Sequence, residues 1–179
     1  MKKCQHGPLI KEIKMIIYTD GSCLGNGKAV NSGGFGVVVL DNKENLLYTY
    51  SKRSENTTNN REELKAILYT MLNHGVKTEV YEFSQVEIPI VYSDSSYCVN
   101  TFNDWMFRWA NNNWIKSDKK LPENLDLIQA YYDWYQKGYR IELRKVKGHS
   151  DNKWNDLADK LATGQVAPNN NNLIMKKED

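Results

Sequence analysis

The sequence predicts an α/β fold: a mixed five-stranded sheet, three strands in an antiparallel meander plus two parallel strands, flanked by helices. Two observations carry this expectation. Three β-rich runs follow one another near the start, and strand-like runs then alternate with segments of helical periodicity. The 179 residues correspond to one domain of ~150 residues with short extensions. We place an N-terminal extension at 1–13, the domain at 14–164 and a disordered, asparagine-rich tail at 165–179.

The first strand is Ile13 to Thr19, ending at a turn formed by Asp20-Gly21-Ser22. Gly34 to Leu40 forms the second, Asp41-Asn42-Lys43 the next turn, and Leu46 to Ser51 the third. Thr58-Asn59-Asn60 then supplies capping residues ahead of Leu64, Ile67, Leu68, Met71 and Leu72, whose spacing is helical, and Gly75 stops that helix. Lys77 to Glu87 is a polar connection without a clear pattern. Ile88 to Ser93 forms the fourth strand, with Pro89 at its start and Asp94 at its end. Ser95 to Phe102 and Trp105 to Ala110 are short helices, and a longer helix opens at Leu121-Pro122 and runs to Tyr135, before Gly138. Arg140 to Val146 alternates as the fifth strand, and Trp154, Leu157, Ala158 and Leu161 mark a closing helix.

Composition excludes several classes. A hydrophobic share of 40% with 26% charged residues describes a soluble globular chain, and no apolar run reaches the ~18 residues of a membrane span. A net charge of +2 is too mild to announce a nucleic-acid partner, so that case rests on local charge. Cys4, Cys23 and Cys98 are odd in number and far apart, which fits neither a disulfide framework nor a zinc pattern and points to the cytoplasm.

Chemistry gathers around the acids. Ile16, Tyr18 and Asp20 share one face of their strand, as do Ile90, Tyr92 and Asp94 of theirs. If the intervening helix is a crossover, both aspartates fall at carboxyl ends of neighbouring strands. Glu63 lies on the rim of the apolar stripe of the first helix, whereas Glu62 points ~100° further round. On the closing helix, Asp156 and Asp159 stand about equally far from the apolar centre, and periodicity does not choose between them. Oxygen ligands without a histidine or cysteine cluster suit Mg²⁺ or Mn²⁺. The same residues also have an ordinary reading as a turn and as surface acids.

Five motifs, in order, resemble the type 1 ribonucleases H: Tyr18 to Asn26 (YTDGSCLGN), Thr57 to Ala66 (TTNNREELKA), Tyr92 to Tyr97 (YSDSSY), Val146 to Ser150 (VKGHS) and Asn155 to Ala162 (NDLADKLA). The resemblance covers roughly Met15 to Gly164 and implies an RNase H-like fold. It also implies an endonuclease that cleaves the RNA strand of RNA/DNA hybrids and leaves 5′-phosphate and 3′-hydroxyl ends. Asp20, Glu63, Asp94 and Asp159 become the catalytic carboxylates and metal ligands. They would hold two Mg²⁺ ions, with Mn²⁺ able to substitute, one activating water and the other stabilising the leaving oxygen. His149 would assist proton movement or product release.

The resemblance places Gly21, Ser22, Cys23, Asn26, Asn59 and Ser96 along the minor groove, where the 2′-hydroxyl separates RNA from DNA. Thr58 and Asn59 would grip a DNA phosphate, and Trp105 would stack on the DNA strand. Ser96 stands where the family often has glutamine. In the handle, Trp105 to Lys120, Lys116, Lys119 and Lys120 stand behind the tryptophans, but the helical core is thin in charge, reading Ala110-Asn111-Asn112-Asn113 and leaving Arg108 nearly alone. Trp109 and Trp114 are expected to pack against the neighbouring helix, and His74 to place charge at a helix end. The enzyme is expected to act as a monomer without an obligate protein partner. The rival readings are a hybrid-binding protein that has lost catalysis and a detached reverse-transcriptase RNase H domain.

Overall fold

Glycine decides where the first strand ends. In the computed structural model, which describes residues 14–78, 87–146 and 151–169, β1 (Ile16–Leu24) continues straight through the expected turn at Asp20-Gly21-Ser22. It stays paired with β2 (Ser32–Leu40), whose Gly36, Phe35, Gly34 and Gly33 face Asp20, Gly21, Ser22 and Cys23 in turn. With no side chains on most of that partner, an Asp-Gly-Ser run remains flat in the ladder. The meander closes with β3 (Leu46–Glu55), four residues longer than expected.

α1 (Asn59–His74) begins as the capping residues predict, with the Thr58 hydroxyl accepting from the Arg61 amide. It ends at Gly75, although the reason for glycine is packing: its φ is −57°, and a Cβ there would lie 2.9 Å from Met71 Sδ. A two-residue strand, β4 (Val76–Lys77), follows; β5 (Ile90–Ser93) starts just after Pro89.

The two short helices expected next are one continuous helical stretch: α2 (Ser96–Asn100), a wide π turn (Thr101–Trp105) and α3 (Met106–Asn111). α4 (Leu125–Gln136) starts three residues after the buried Pro122, because Asn124 takes a left-handed φ of 58° that no helix continues through. The fifth strand is split: β6 (Tyr139–Arg140) pairs with β4 as a separate ribbon, and only β7 (Glu142–Lys145) joins the main sheet. α5 (Lys153–Ala162) closes the fold, capped by the Asn152 side chain.

The main sheet runs β3-β2-β1-β5-β7, antiparallel in the meander and parallel from β1 onward, as predicted. Its two faces are covered unequally. Ile17, Val37, Val39 and Val91 pack beneath Leu64, Ile67, Met71, Phe102 and Ile128 from the large helical layer. Among the described residues, Tyr18, Val38 and Leu40 pack beneath Ala158 and Leu161 of α5. Burial on both faces explains why β2 reads as a continuous apolar run.

α5 lies very close to the sheet. A Cβ on Gly36 would sit 2.6 Å from Leu161 Cβ, and one on Gly34 would sit 2.8 Å from the Ala162 carbonyl oxygen. That carbonyl accepts from the Arg53 guanidinium, a cation at a helix C-terminus.

The tail departs from expectation at its start. Asn169 donates its amide to Thr49 Oγ1 at 2.7 Å and accepts from the Thr49 amide at 2.9 Å, so residues 165–169 lead back to the outer edge of β3. An edge strand offers unpaired amides for such a contact. The extension 1–13, residues 79–86 of the polar connection, the His149 loop (147–150) and residues 170–179 lie outside the described residues.

Gly36→Ala is expected to push α5 off the sheet and destabilise the protein by about 2 kcal/mol, read as a lower urea midpoint at unchanged slope. A midpoint equal to wild type would show that the close approach is dispensable.

Candidate active site

The register of the parallel strands brings the first two acids together. Thr19 is level with Ser93, so Asp20 and Asp94, each one residue further, emerge side by side. Gly21 then lets α1 approach: a Cβ there would fall 2.7 Å from Glu63 Cα. Through that opening the Gly21 amide hydrogen-bonds the Glu63 carboxylate, which faces Asp20. One oxygen from each of Asp20, Glu63 and Asp94 lies within 4.8 Å of the others.

Asp159 joins from α5. It is exposed, yet its carboxylate is close enough to Asp20 to add to the rise in the Asp20 pKa; Asp156, one turn earlier, has no such effect. The structure therefore separates two acids that periodicity left equivalent.

Asp20 is only 6% exposed and Glu63 only 8%. Burial, with the Asp94 charge added, pushes Asp20 up to about 7. Burial raises Glu63 well above the usual carboxylate range, helped by the Asp20 and Asp94 charges, and leaves its Oε2 buried without a donor. Clustered, dry, electron-rich oxygens with an orphaned acceptor fit a hard divalent cation, which satisfies such oxygens and offsets their repulsion.

Several expected substrate residues meet at the start of α1. The Cys23 amide donates to Asn59 Oδ1 at 2.6 Å, and the Asn59 amide donates to Asn26 Oδ1 at 3.1 Å. Those bonds leave the side-chain NH₂ groups of both asparagines as donors. Thr58 caps the same helix, Gly21 and Ser22 lie half-buried in β1, and Ser96 is exposed at the start of α2. Trp105 stands apart, half-buried against Tyr97 and Trp109. Trp109 and Trp114 pack against the large core, and Arg108 is paired with Asp104 at 3.1 Å.

Two features escape sequence reasoning. Lys145 donates its ammonium to the Asp94 carbonyl at 3.0 Å; the parallel register of Ser93 with Lys145 is the signal for it. His74, expected as a helix-end charge, is instead half-buried against the Tyr48 hydroxyl, and desolvation pushes it down to about 4. It is neutral at physiological pH.

Comparison with known proteins follows this geometry: the RNase H family model matches residues 12–167. The chain belongs to the RNase H family. It is 43% identical over 151 residues to Ribonuclease H of Caldanaerobacter subterraneus subsp. tengcongensis, covering 84% of this chain and 89% of that one. It is 39% identical over 152 residues to Ribonuclease H of Chlorobium phaeovibrioides, covering 84% and 94%. The crystal structure of LC9-RNase H1, a type 1 RNase H with the type 2 active-site motif, superposes with a TM-score of 0.68 at 27% identity, covering 89% of this chain and 76% of that one.

An acid whose pKa folding raises keeps a proton that the unfolded chain has released. In this RNase H, metal-free stability should therefore fall as pH rises from the ordinary 3.8 of Asp20 towards about 7. Asp20→Asn removes one member of the cluster and is expected to raise the Tm of the EDTA-treated protein at pH 8 by at least about 2 °C, with the gain shrinking at pH 4. A lower Tm at pH 8 would show that the three acids do not repel one another.

Proposed function

We propose that this RNase H is an endoribonuclease that cleaves the RNA strand of RNA/DNA hybrids by metal-assisted phosphodiester hydrolysis. The observation that carries the reading is the convergence of Asp20, Glu63 and Asp94, with Asp159 beside Asp20, in a chain of this family. We assign these four carboxylates to two Mg²⁺ ions, with Mn²⁺ as a substitute. Bound there, such ions supply a water of lowered pKa and neutralise charge on the phosphodiester and its leaving oxygen.

The chain's own residues supply position. Asp20 and Glu63, anchored in β1 and on the Gly21 amide, form the buried wall of the site, while Asp94 and Asp159 form its more open side. Beside the α1 N-terminus, the exposed side chains of Asn26 and Asn59 keep their NH₂ groups as donors, which suits a phosphate and a 2′-hydroxyl. Ser96 and Trp105 extend the footprint towards the handle, and His149 serves the departure of product. With Arg108 already paired with Asp104, the helical core of the handle adds little free charge ahead of Lys116, Lys119 and Lys120, and binding should depend only shallowly on salt. Among the described residues no helix is long and apolar enough to cross a membrane.

The test is cleavage of a hybrid with end-labelled RNA beside RNA and DNA duplexes, in Mg²⁺ and then in EDTA. Metal-dependent cutting of the hybrid's RNA strand alone is expected. Asp94→Asn should reduce it at least ~100-fold while hybrid binding persists, and Asp159→Asn should be far more damaging than Asp156→Asn. Binding without cutting by the wild type would refute the nuclease reading.

A further inference from the structure

The residue before Glu63 has no part in the chemistry above, yet Glu62 is 0% exposed. A carboxylate taken out of water is unfavourable unless a cation and hydrogen-bond donors meet it. Glu62 has both. Its Oε1 accepts from the Thr57 hydroxyl at 2.7 Å and from the Lys65 ammonium at 2.8 Å, and Lys65 also donates to Ser54 Oγ on β3 at 2.9 Å. An apolar side chain of similar volume would fill the space without desolvating any charge, so what the carboxylate adds is the orientation of its partners.

Those partners lead to the substrate-facing segment. Thr57 immediately precedes Thr58 and Asn59, and three parts of the chain converge on it. Its amide donates to Asn31 Oδ1 at 2.7 Å, its carbonyl accepts from Cys23 Sγ at 3.5 Å, and its hydroxyl is held by Glu62. It has little room to shift: a Cβ on Gly33 would lie 2.6 Å from Thr57 Cγ2 and 3.2 Å from Glu62 Cγ. Cys23 in turn donates its amide to Asn59, so one network joins Glu62 to the strand end and helix start proposed to grip the hybrid.

We infer that Glu62 is a positioning residue for hybrid binding, acting through Thr57 on the Thr58–Asn59 grip; this rests on the nuclease reading above. It does not act on the chemical step. Glu63 keeps its own anchor on the Gly21 amide, and Asp20 and Asp94 are set by strand register. The signature is therefore a change in KM with little change in kcat.

Steady-state hybrid cleavage by wild type, Glu62→Leu, Glu62→Gln, Thr57→Val and the Glu62→Leu/Thr57→Val pair tests this, with Tm recorded for each. Glu62→Leu and Thr57→Val should each raise KM by about threefold to tenfold, with kcat within about twofold of wild type. The pair should be little worse than either alone, because both break one network. Glu62→Gln, which still offers Thr57 an acceptor, should restore most of the affinity. Unchanged KM in both single variants, or kcat falling in step with Tm, would overturn the inference and leave Glu62 a structural residue. If Glu62→Leu fails to fold, Thr57→Val decides: a wild-type KM in that variant overturns the proposal. A wild type that cuts no hybrid removes the nuclease reading and this inference together, whereas an active wild type with unmoved KM in the variants removes this inference alone.

Discussion

Three carboxylates that repel one another in a half-dry pocket are the constraint around which the rest of this structure is arranged. Once ionised, Asp20, Glu63 and Asp94 repel one another in the absence of a cation, so the backbone must hold them there. It does so twice over. Parallel pairing sets Asp20 level with Asp94, and the bare Cα of Gly21 admits the first turn of α1, whose N-terminal dipole favours acids. The strain of the cluster is carried by two elements with extensive cores beneath them. Ile17 and Val91 anchor the strands on the face where Leu64 and Ile67 anchor the helix.

The fourth acid arrives by a different route. Asp159 sits on a helix covering the thinner side of the sheet, where, among the described residues, Tyr18, Val38, Leu40, Ala158 and Leu161 form the buried cluster. So small a core is poorly suited to fixing a helix by area alone. Close approach over Gly34 and Gly36, together with the Arg53 contact to the Ala162 carbonyl, supplies the fixation. An exposed acid on such a helix can come near Asp20 without being buried itself, which leaves the outer side of the cluster open to a substrate phosphate.

How much of this was legible in the sequence depends on whether the signal was local. The α1 boundaries followed from Thr58 and Gly75, and the mixed sheet, a meander plus two parallel strands, followed from the alternation of patterns. The turn expected at Asp20-Gly21-Ser22 was an error of locality. Asp-Gly-Ser is turn chemistry when read alone, and only the glycines across the ladder, more than ten residues away, keep it extended. The split of the fifth strand and the π turn at Thr101–Trp105 likewise depend on distant partners: β4 for the first, and for the second a neighbourhood in which Asn103 donates to the Leu143 carbonyl. At the site, strand parity singled out Asp20 and Asp94, but a helical wheel could not separate Asp159 from Asp156. That distinction lies in where the axis of α5 crosses the sheet, which periodicity does not encode. His74 was misread for the same reason, since its neighbour Tyr48 is on another element.

Glu62 and Glu63 show how one helical turn can give adjacent buried acids opposite fates. Both point off the N-terminus of α1, and both keep one oxygen without a donor. Glu62 faces an ammonium and a hydroxyl that belong to the protein, so its charge is answered and its surroundings are rigid. Glu63 faces two further carboxylates and one backbone amide, so its charge is answered only when something enters from outside. Burial and residue type do not distinguish the two. The sign of the charge that surrounds each one does, and on that difference rests our proposal that the first organises the segment that meets the hybrid and the second holds a cation.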